Sequence, residues 1–218
     1  HQIRTPLSAA MLYASNLTRK GLGQEAQTQF ANKLTDRLKE LESQVNDMLL
    51  FAKSGEEQVV SQISLGELFT SIEGSAQTMT AQAQQTLTFS GFDKNVSITG
   101  NLTALQGALL NLVHNASQVT PKGECVHVET AVSDKRLHVA IIDKGPGVPD
   151  KLKNKIFEPF FTTKTHGTGL GLAVVKSVVN AHNGLLSVSN MPEGGACFSV
   201  SLPCVVNAQS SQTLTHVA

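Results

Sequence analysis

The sequence has no tryptophan, one tyrosine and only 5% aromatic residues. So small a stock disfavours the base-stacking platform that binds single-stranded nucleic acid. A charge surplus is also missing, because 17 basic residues meet 17 acidic ones. A dedicated nucleic-acid binder carries a basic excess, so nucleic acid is not an expected partner. Cysteine is scarce: Cys125, Cys197 and Cys204 stand far apart, with no C-x-x-C pair. That spacing supports neither a disulfide framework nor a zinc site. It fits small buried thiols in a reducing cytoplasm. No apolar run approaches the length that spans a bilayer and no secretory leader is recognisable, so no membrane contact is expected of these residues. What remains is 218 residues, enough for one large or two small domains with real cores. The first residue is a histidine inside what reads as a helix, which predicts a piece of a longer chain.

The first fifty residues predict two helices. Ile3, Leu7, Ala10, Ala14 and Leu17 alternate spacings of four and three, a heptad seam. Gly21-Leu22-Gly23 breaks the pattern, which resumes through Leu34, Leu38, Leu41, Val45, Met48 and Ala52. Two helices joined by a short glycine turn form an antiparallel hairpin. A hairpin this thin cannot cover both sides of its seam, so residues 1–54 are expected to pair with a second copy into a four-helix bundle. Residues 55–63 read as a linker, centred on the polar stretch from Ser54 to Gln58. A domain is expected over 64–205 and a polar, disordered tail over 206–218. Within 64–205 the pattern predicts a polar helix from Ser64 to about Ala83, with Ser64 and Glu67 as a capping box. Short strands follow at Thr86–Ser90 and Asn95–Thr99, then an amphipathic helix at Leu102–Val119. Cys125–Val132 and Leu137–Ile142 read as a strand pair turning at Ser133–Arg136. A helix from about Gly169 stops at His182-Asn183-Gly184, ahead of strands at Leu185–Ser189 and Ala196–Leu202. The mixture predicts an α+β fold.

Four stretches carry chemistry. In N-L-V-H-N, two poor helix formers, Asn111 and Asn115, stand one turn apart on one face. An Asn carbonyl oxygen can ligate Mg²⁺ beside phosphate oxygens and water; a pair of solvated amides is the plain alternative. In D-K-G-P-G, Asp143 ends an apolar strand, where its carboxylate can accept from an amino group. Gly145 and Gly147 can admit a flat ring close to the backbone; the alternative is an ordinary turn. In F-E-P-F-F-T-T-K, three Phe interrupted by Pro159 can anchor a loop, from which Lys164 can reach a phosphate. G-T-G-L-G-L opens a helix, and backbone N–H groups at a helix N-terminus suit a phosphate chain. It is not the dinucleotide fingerprint, because no βαβ unit precedes it and the spacing differs.

In this order, behind a histidine-led hairpin, these stretches closely resemble the sensor histidine kinases of two-component systems. H-Q-I-R-T-P-L is similar to their H box, N-L-V-H-N-A to the N box and D-K-G-P-G to the G1 box. F-E-P-F-F is similar to the F box and G-T-G-L-G-L to the G2 box. The resemblance implies a dimerisation and phosphotransfer hairpin followed by an ATP-binding α/β sandwich of the Bergerat type, shared with gyrase, Hsp90 and MutL. It implies ATP and Mg²⁺ as cofactors and His1 as phosphoacceptor, with Gln2 and Thr5 beside it. Asn115 then binds Mg²⁺, with Asn111 and more weakly His114 near the phosphates. Asp143 takes the adenine amino group in a pocket shaped by Gly145 and Gly147. Lys164, Gly167, Thr168, Gly169, Leu170 and Gly171 approach the phosphates. The implied partners are a second copy and a response regulator receiver domain. The short segment from Phe161 to Gly167 resembles that of the nitrogen-regulation and polar-flagellar types, and S-A-A-M-L-Y-A-S-N-L after the H box looks most like the flagellar type. That type implies a sigma-54-dependent activator of flagellar genes as the regulator.

Two rival readings are an ATP-hydrolysing clamp and a weakly catalytic scaffold that binds a regulator. Gyrase-like and Hsp90-like clamps carry a glutamate at the first N-box position to activate water. Asn111 stands there and cannot act as a base. Gln2 occupies a place where most members of the family carry an acid. Its carbonyl oxygen can orient an imidazole but cannot take a proton, so a slower phosphorylation of His1 is expected. Pro6 is expected to bend the helix beside His1.

Overall fold

The computed structural model describes residues 4–53, 60–91, 95–164 and 168–206. His1, Gln2 and Gly167, the expected linker core Ser54–Gln58, the bend beside His1 and residues 207–218 of the expected tail lie outside the described residues. No helix among the described residues is long and apolar enough to cross a membrane.

Helices α1 (Arg4–Leu17) and α2 (Gln24–Lys53) form the hairpin. Gly21 adopts φ +83°, which a side chain disfavours, and turns the chain between them. Tyr13 of α1 meets Phe30 of α2 with ring centres 6.3 Å apart, and Lys33 Nζ lies 5.9 Å from the Tyr13 ring. Pro6 and Ala10 are buried, and Ala14, Leu17, Leu34, Leu41 and Met48 are half-buried. Leu7, Leu38 and Val45 of the expected seam remain open, 46%, 51% and 44% exposed. Within one copy the hairpin therefore covers only part of its apolar face.

The remaining chain is α+β, as expected. Its larger sheet has the order β2 (Thr86–Ser90), β4 (Cys125–Ser133), β5 (Arg136–Ile142), β7 (Ala196–Pro203), β6 (Leu185–Asn190). Only the β2–β4 pair is parallel. Strict alternation puts Leu137, Val139 and Ile141 of β5 on one face, in register with Leu202, Val200 and Phe198 of β7. Helices α3 (Leu65–Gln82), α4 (Leu102–Val119) and α5 (Gly171–Ala181) contribute to the same core. Leu105, Leu112 and Val113 of α4 and Val174, Val175 and Val179 of α5 are all but closed to solvent.

Several expectations are corrected here. Ser61–Ser64, in the segment read as linker, forms strand β1 against β3 (Val96–Gly100). Its only inward apolar residue is Ile63, 1% exposed, too faint a signal for periodicity to register. Val206, read as the start of the tail, pairs in β8 (Val205–Val206) with β3. The helix read as polar, α3, buries Leu65, Leu68, Phe69, Ile72 and Ala76 along one stripe. The N-cap half of its capping box is present, with Glu67 N–H donating to Ser64 Oγ at 3.0 Å.

Candidate active site

Helix α4 carries the site. Spacing by one turn places Asn111 and Asn115 together, both half-buried. Gly171, the first residue of α5, faces them. A Cβ built on it would stand 3.9 Å from the amide nitrogens of both asparagines. Leu170 holds the N-cap position of α5 and caps it with no side chain. The helix entrance thus presents backbone N–H groups toward the α4 amides, an arrangement suited to an anion. The helix begins at Gly171 rather than near Gly169. The preceding Thr168 is buried, and its Oγ1 accepts from Leu170 N–H at 3.1 Å.

Gly169 pins one loop to another. Its φ is +64°, and a Cβ there would come within 2.5 Å of the Phe160 carbonyl carbon. Phe160 N–H donates to the Gly169 carbonyl at 2.9 Å. The aromatic anchor is narrower than expected from three Phe. Phe157 packs edge-on to Phe198 at 6.5 Å, whereas Phe160 is 60% exposed. Phe160 itself has φ +66°, so its backbone rather than its ring fastens the loop. Beyond that loop, Lys164 Nζ donates to Asn115 Oδ1 at 3.2 Å and to Gln118 Oε1. The Lys164 side chain as a whole is exposed, yet burial around its ammonium lowers its pKa. His114 has its pKa lowered by burial and then by the Lys164 charge.

The last residue of α4, Val119, borders a second set of groups. Asp143 follows β5 and is 2% exposed. Its Oδ1 accepts from Gly145 N–H at 2.8 Å and from Ala196 N–H at 3.0 Å. Burial raises its pKa, and those two donors pull the other way. Among the described residues nothing donates to Oδ2, which leaves one buried acceptor for a ligand's amino group. Gly145 touches the end of α4, where a Cβ would meet Val119 Cγ2 at 2.7 Å. Gly147, at φ +76°, packs against Asn190. His114, Asp143 and Lys164 in these two sets all have their pKa shifted, chiefly by burial.

Other side chains that hold the site carry no motif. Gln85 is buried after α3. Its Oε1 accepts from Ser117 Oγ at 2.7 Å, and its Nε2 donates to the Ser117 carbonyl at 2.8 Å and to the Thr120 carbonyl. This fixes the end of α4, where Thr120 Oγ1 accepts from Lys144 N–H at 3.2 Å. Asn190 pairs both amide atoms with the Val148 backbone, at 2.8 and 2.9 Å, and so ties the Gly147 loop to β6. Gly195 lies against Asp143, whose carbonyl oxygen would stand 2.0 Å from any Cβ there. The E-G-G-A turn signal was present in the sequence, but nothing linked it to Asp143.

Of the other described histidines, His127 and His138 stand outside the site. His127 contacts Thr88, Ser90 and Glu129, and His138 contacts Ser133. His182 does more than stop a helix. Its Nε2 accepts from Asn101 N–H at 2.9 Å and its Nδ1 donates to the Val178 carbonyl at 2.7 Å, so it locks α5 to the start of α4. Gly100 makes room for that ring, which would lie 2.4 Å from a Cβ. Thr5 is exposed on α1.

Comparison with known proteins agrees with this geometry. Residues 1–57 match the family described as the His Kinase A (phospho-acceptor) domain. Residues 100–206 match the histidine kinase-, DNA gyrase B-, and HSP90-like ATPase family. The sensor protein kinase FleS of Pseudomonas aeruginosa is 40% identical over 211 residues, which is 97% of this chain and 52% of FleS. The chain thus spans about half the length of that relative. Among solved structures, histidine kinase ThkA in complex with the response regulator protein TrrA is 25% identical, with TM-score 0.74 over 93% of this chain and 59% of that one. Full-length ShkA in complex with AMPPNP is 26% identical, with TM-score 0.68 over 95% of this chain and 45% of that one. Two matched family models and a relative 40% identical over nearly the whole chain agree with the order of motifs, and the chain belongs to the sensor histidine kinase family.

Proposed function

We propose that this chain is an ATP-dependent protein histidine autokinase: His1 takes the γ-phosphoryl group of ATP and passes it to an aspartate of a response regulator receiver domain. The observation that carries the reading is the meeting, along the C-terminal half of α4, of Asn111, Asn115, Lys164 and Gly171 with Asp143 and Gly145 at its last residue, Val119. Asp143 Oδ2 accepts from the adenine amino group, while Gly145 and Gly147 keep side chains out of the ring's path. Gly167, Thr168, Gly169, Leu170 and Gly171 bring the entrance of α5 to the phosphates, and Lys164 supplies a positive charge. Asn115 Oδ1 already holds an ammonium, so it fits a hard cation, and the residues that would hold Mg²⁺ are Asn115 and, more remotely, Asn111. A Mg²⁺ ion held there would supply positive charge against the phosphate chain. Asn111 stands where a hydrolytic relative needs a base, so the site holds ATP for a nucleophile other than water.

An imidazole nitrogen of His1 forms the N–P bond as the bond from γ-phosphorus to the ADP oxygen breaks, and ADP leaves. Positioning and charge stabilisation supply most of the catalysis. Gln2 orients the ring and takes no proton. Thr5, one turn from His1 in sequence, orients water for dephosphorylation of the regulator. The exposed seam residues Leu7, Leu38 and Val45 support a homodimer. Similarity to the TrrA-bound ThkA supports a receiver-domain partner, and similarity to FleS supports a regulator of flagellar genes that works with sigma-54. Nucleic acid and membrane are not partners of these residues, and the compartment is the cytoplasm. A single-turnover reaction with γ-labelled ATP tests the kinase reading. Acid-labile label on the protein, drained by an added receiver domain and absent from His1→Gln, is expected. Free phosphate release without protein label would replace the kinase by a clamp.

A further inference from the structure

Lys164 owes its place to a chain of amide contacts on α4. His114 and Gln118 stand one turn apart on one face, with Asn115 beside them. Lys164 Nζ donates to Gln118 Oε1 and to Asn115 Oδ1. With its oxygen engaged by the ammonium, Gln118 turns its amide nitrogen to His114 Nε2, 3.0 Å away. An amide NH₂ only donates, so His114 Nε2 accepts and carries no proton. The three side chains therefore have one consistent polarity, and the middle one, Gln118, is the residue that aims the lysine.

The oxygen Lys164 occupies on Asn115 is the one assigned above to Mg²⁺. An ammonium and a divalent cation cannot share that oxygen at contact distance without strong repulsion. We infer that Lys164, positioned by Gln118, is the resident counter-ion of the phosphate pocket and contends with Mg²⁺ for Asn115. This deepens the nucleotide-site reading and rests on it. Nucleotide arriving without metal meets a pocket whose positive charge is already in place. Nucleotide arriving with metal drives the ammonium off Asn115. Metal and lysine are then antagonists, each worth less when the other is present. Gln118 acts through Lys164 and is a positioning residue.

Calorimetric titration of ADP with Mg²⁺ and with a chelator gives the ratio of metal-free to metal-bound Kd. Lys164→Met is expected to raise this ratio roughly tenfold, the worth of a charge-assisted hydrogen bond lost mainly where no metal replaces it. Lys164→Arg keeps the charge and should hold the ratio within about twofold of the wild type. Gln118→Leu should raise it roughly threefold, the scale of one ordinary hydrogen bond, and the double variant should match Lys164→Met alone. Equal losses with and without Mg²⁺ in Lys164→Met would make the lysine a plain phosphate contact and overturn the antagonism. Additive losses in the double variant would overturn the role of Gln118. A wild-type chain that binds no ADP in either condition would overturn the nucleotide site itself, which sets that failure apart from the other two.

Discussion

In the α/β part, Leu112, Val113, Leu137 and Ile141 are closed to solvent, whereas in the hairpin Leu7, Leu38 and Val45 hold inward places of a heptad seam and stay 44% to 51% exposed. Both parts have strongly periodic apolar residues, but only one has enough layers to cover them. Two helices have a single contact face each, while a sheet under three helices encloses a core from both sides. The functional groups follow the same division. On the proposed function the α/β part holds the nucleotide-facing groups and the hairpin contributes the nucleophile, His1.

Substitutions that strike one region and spare the other sharpen this comparison. The largest expected effect is in the α/β core. Leu112→Ala should cost about 2–5 kcal/mol in chemical denaturation, whereas Leu38→Ala, half open already, should cost well under about 1 kcal/mol in a monomer. Comparable costs would mean that the hairpin is as well packed as the sheet domain. Next comes Asp143→Asn, which should weaken ADP binding roughly tenfold to a hundredfold by calorimetry, the worth of a hydrogen bond to a charged acceptor. Its pH dependence has a definite sign. Burial raises the Asp143 pKa, and because Oδ1 accepts two N–H groups the proton enters at Oδ2. Affinity should therefore fall as pH drops through that raised pKa, and Asp143→Asn should be flat over the same range.

A smaller effect is expected at the seam. Leu38→Asp combined with Val45→Asp should raise the dimer dissociation constant by at least roughly tenfold in sedimentation equilibrium. ADP affinity should not change. A dimer that persists would place the interface elsewhere. The smallest effect is at Gln2→Glu, which restores a charged acceptor beside His1 and should speed autophosphorylation several-fold. An unchanged rate would show that the missing acid does not limit the step.

How much was legible in the sequence followed the reach of each interaction. The long periodic helix Leu102–Val119 and the strand Thr86–Ser90 stand where alternation places them, because their signals are local. The close packing at Gly145, Gly147 and Gly169 has a local signal of the same kind, a glycine in a short motif. Strand β1 was not legible, since one buried isoleucine in four residues has no period. Helix α3 looked polar because Gln, Ser and Thr fill its outer face and mask a narrow apolar stripe. Gln85, Gln118, Asn190, Gly195 and His182 were illegible as site supports. Their partners lie far off in the chain, as with Gln85 and Ser117, 32 residues apart, or are defined by which way an amide turns. The Phe160 ring was overread, since aromatic content does not reveal that a backbone bond to Gly169 holds the loop.

The central claim is that the γ-phosphoryl group held over α4 ends on His1. Mass spectrometry of the ATP-treated chain, digested under alkaline conditions that preserve phosphohistidine, tests it most directly. A phosphoryl adduct on the peptide containing His1, absent when ADP replaces ATP, is the predicted result. Consumption of ATP with no adduct on that peptide would contradict it.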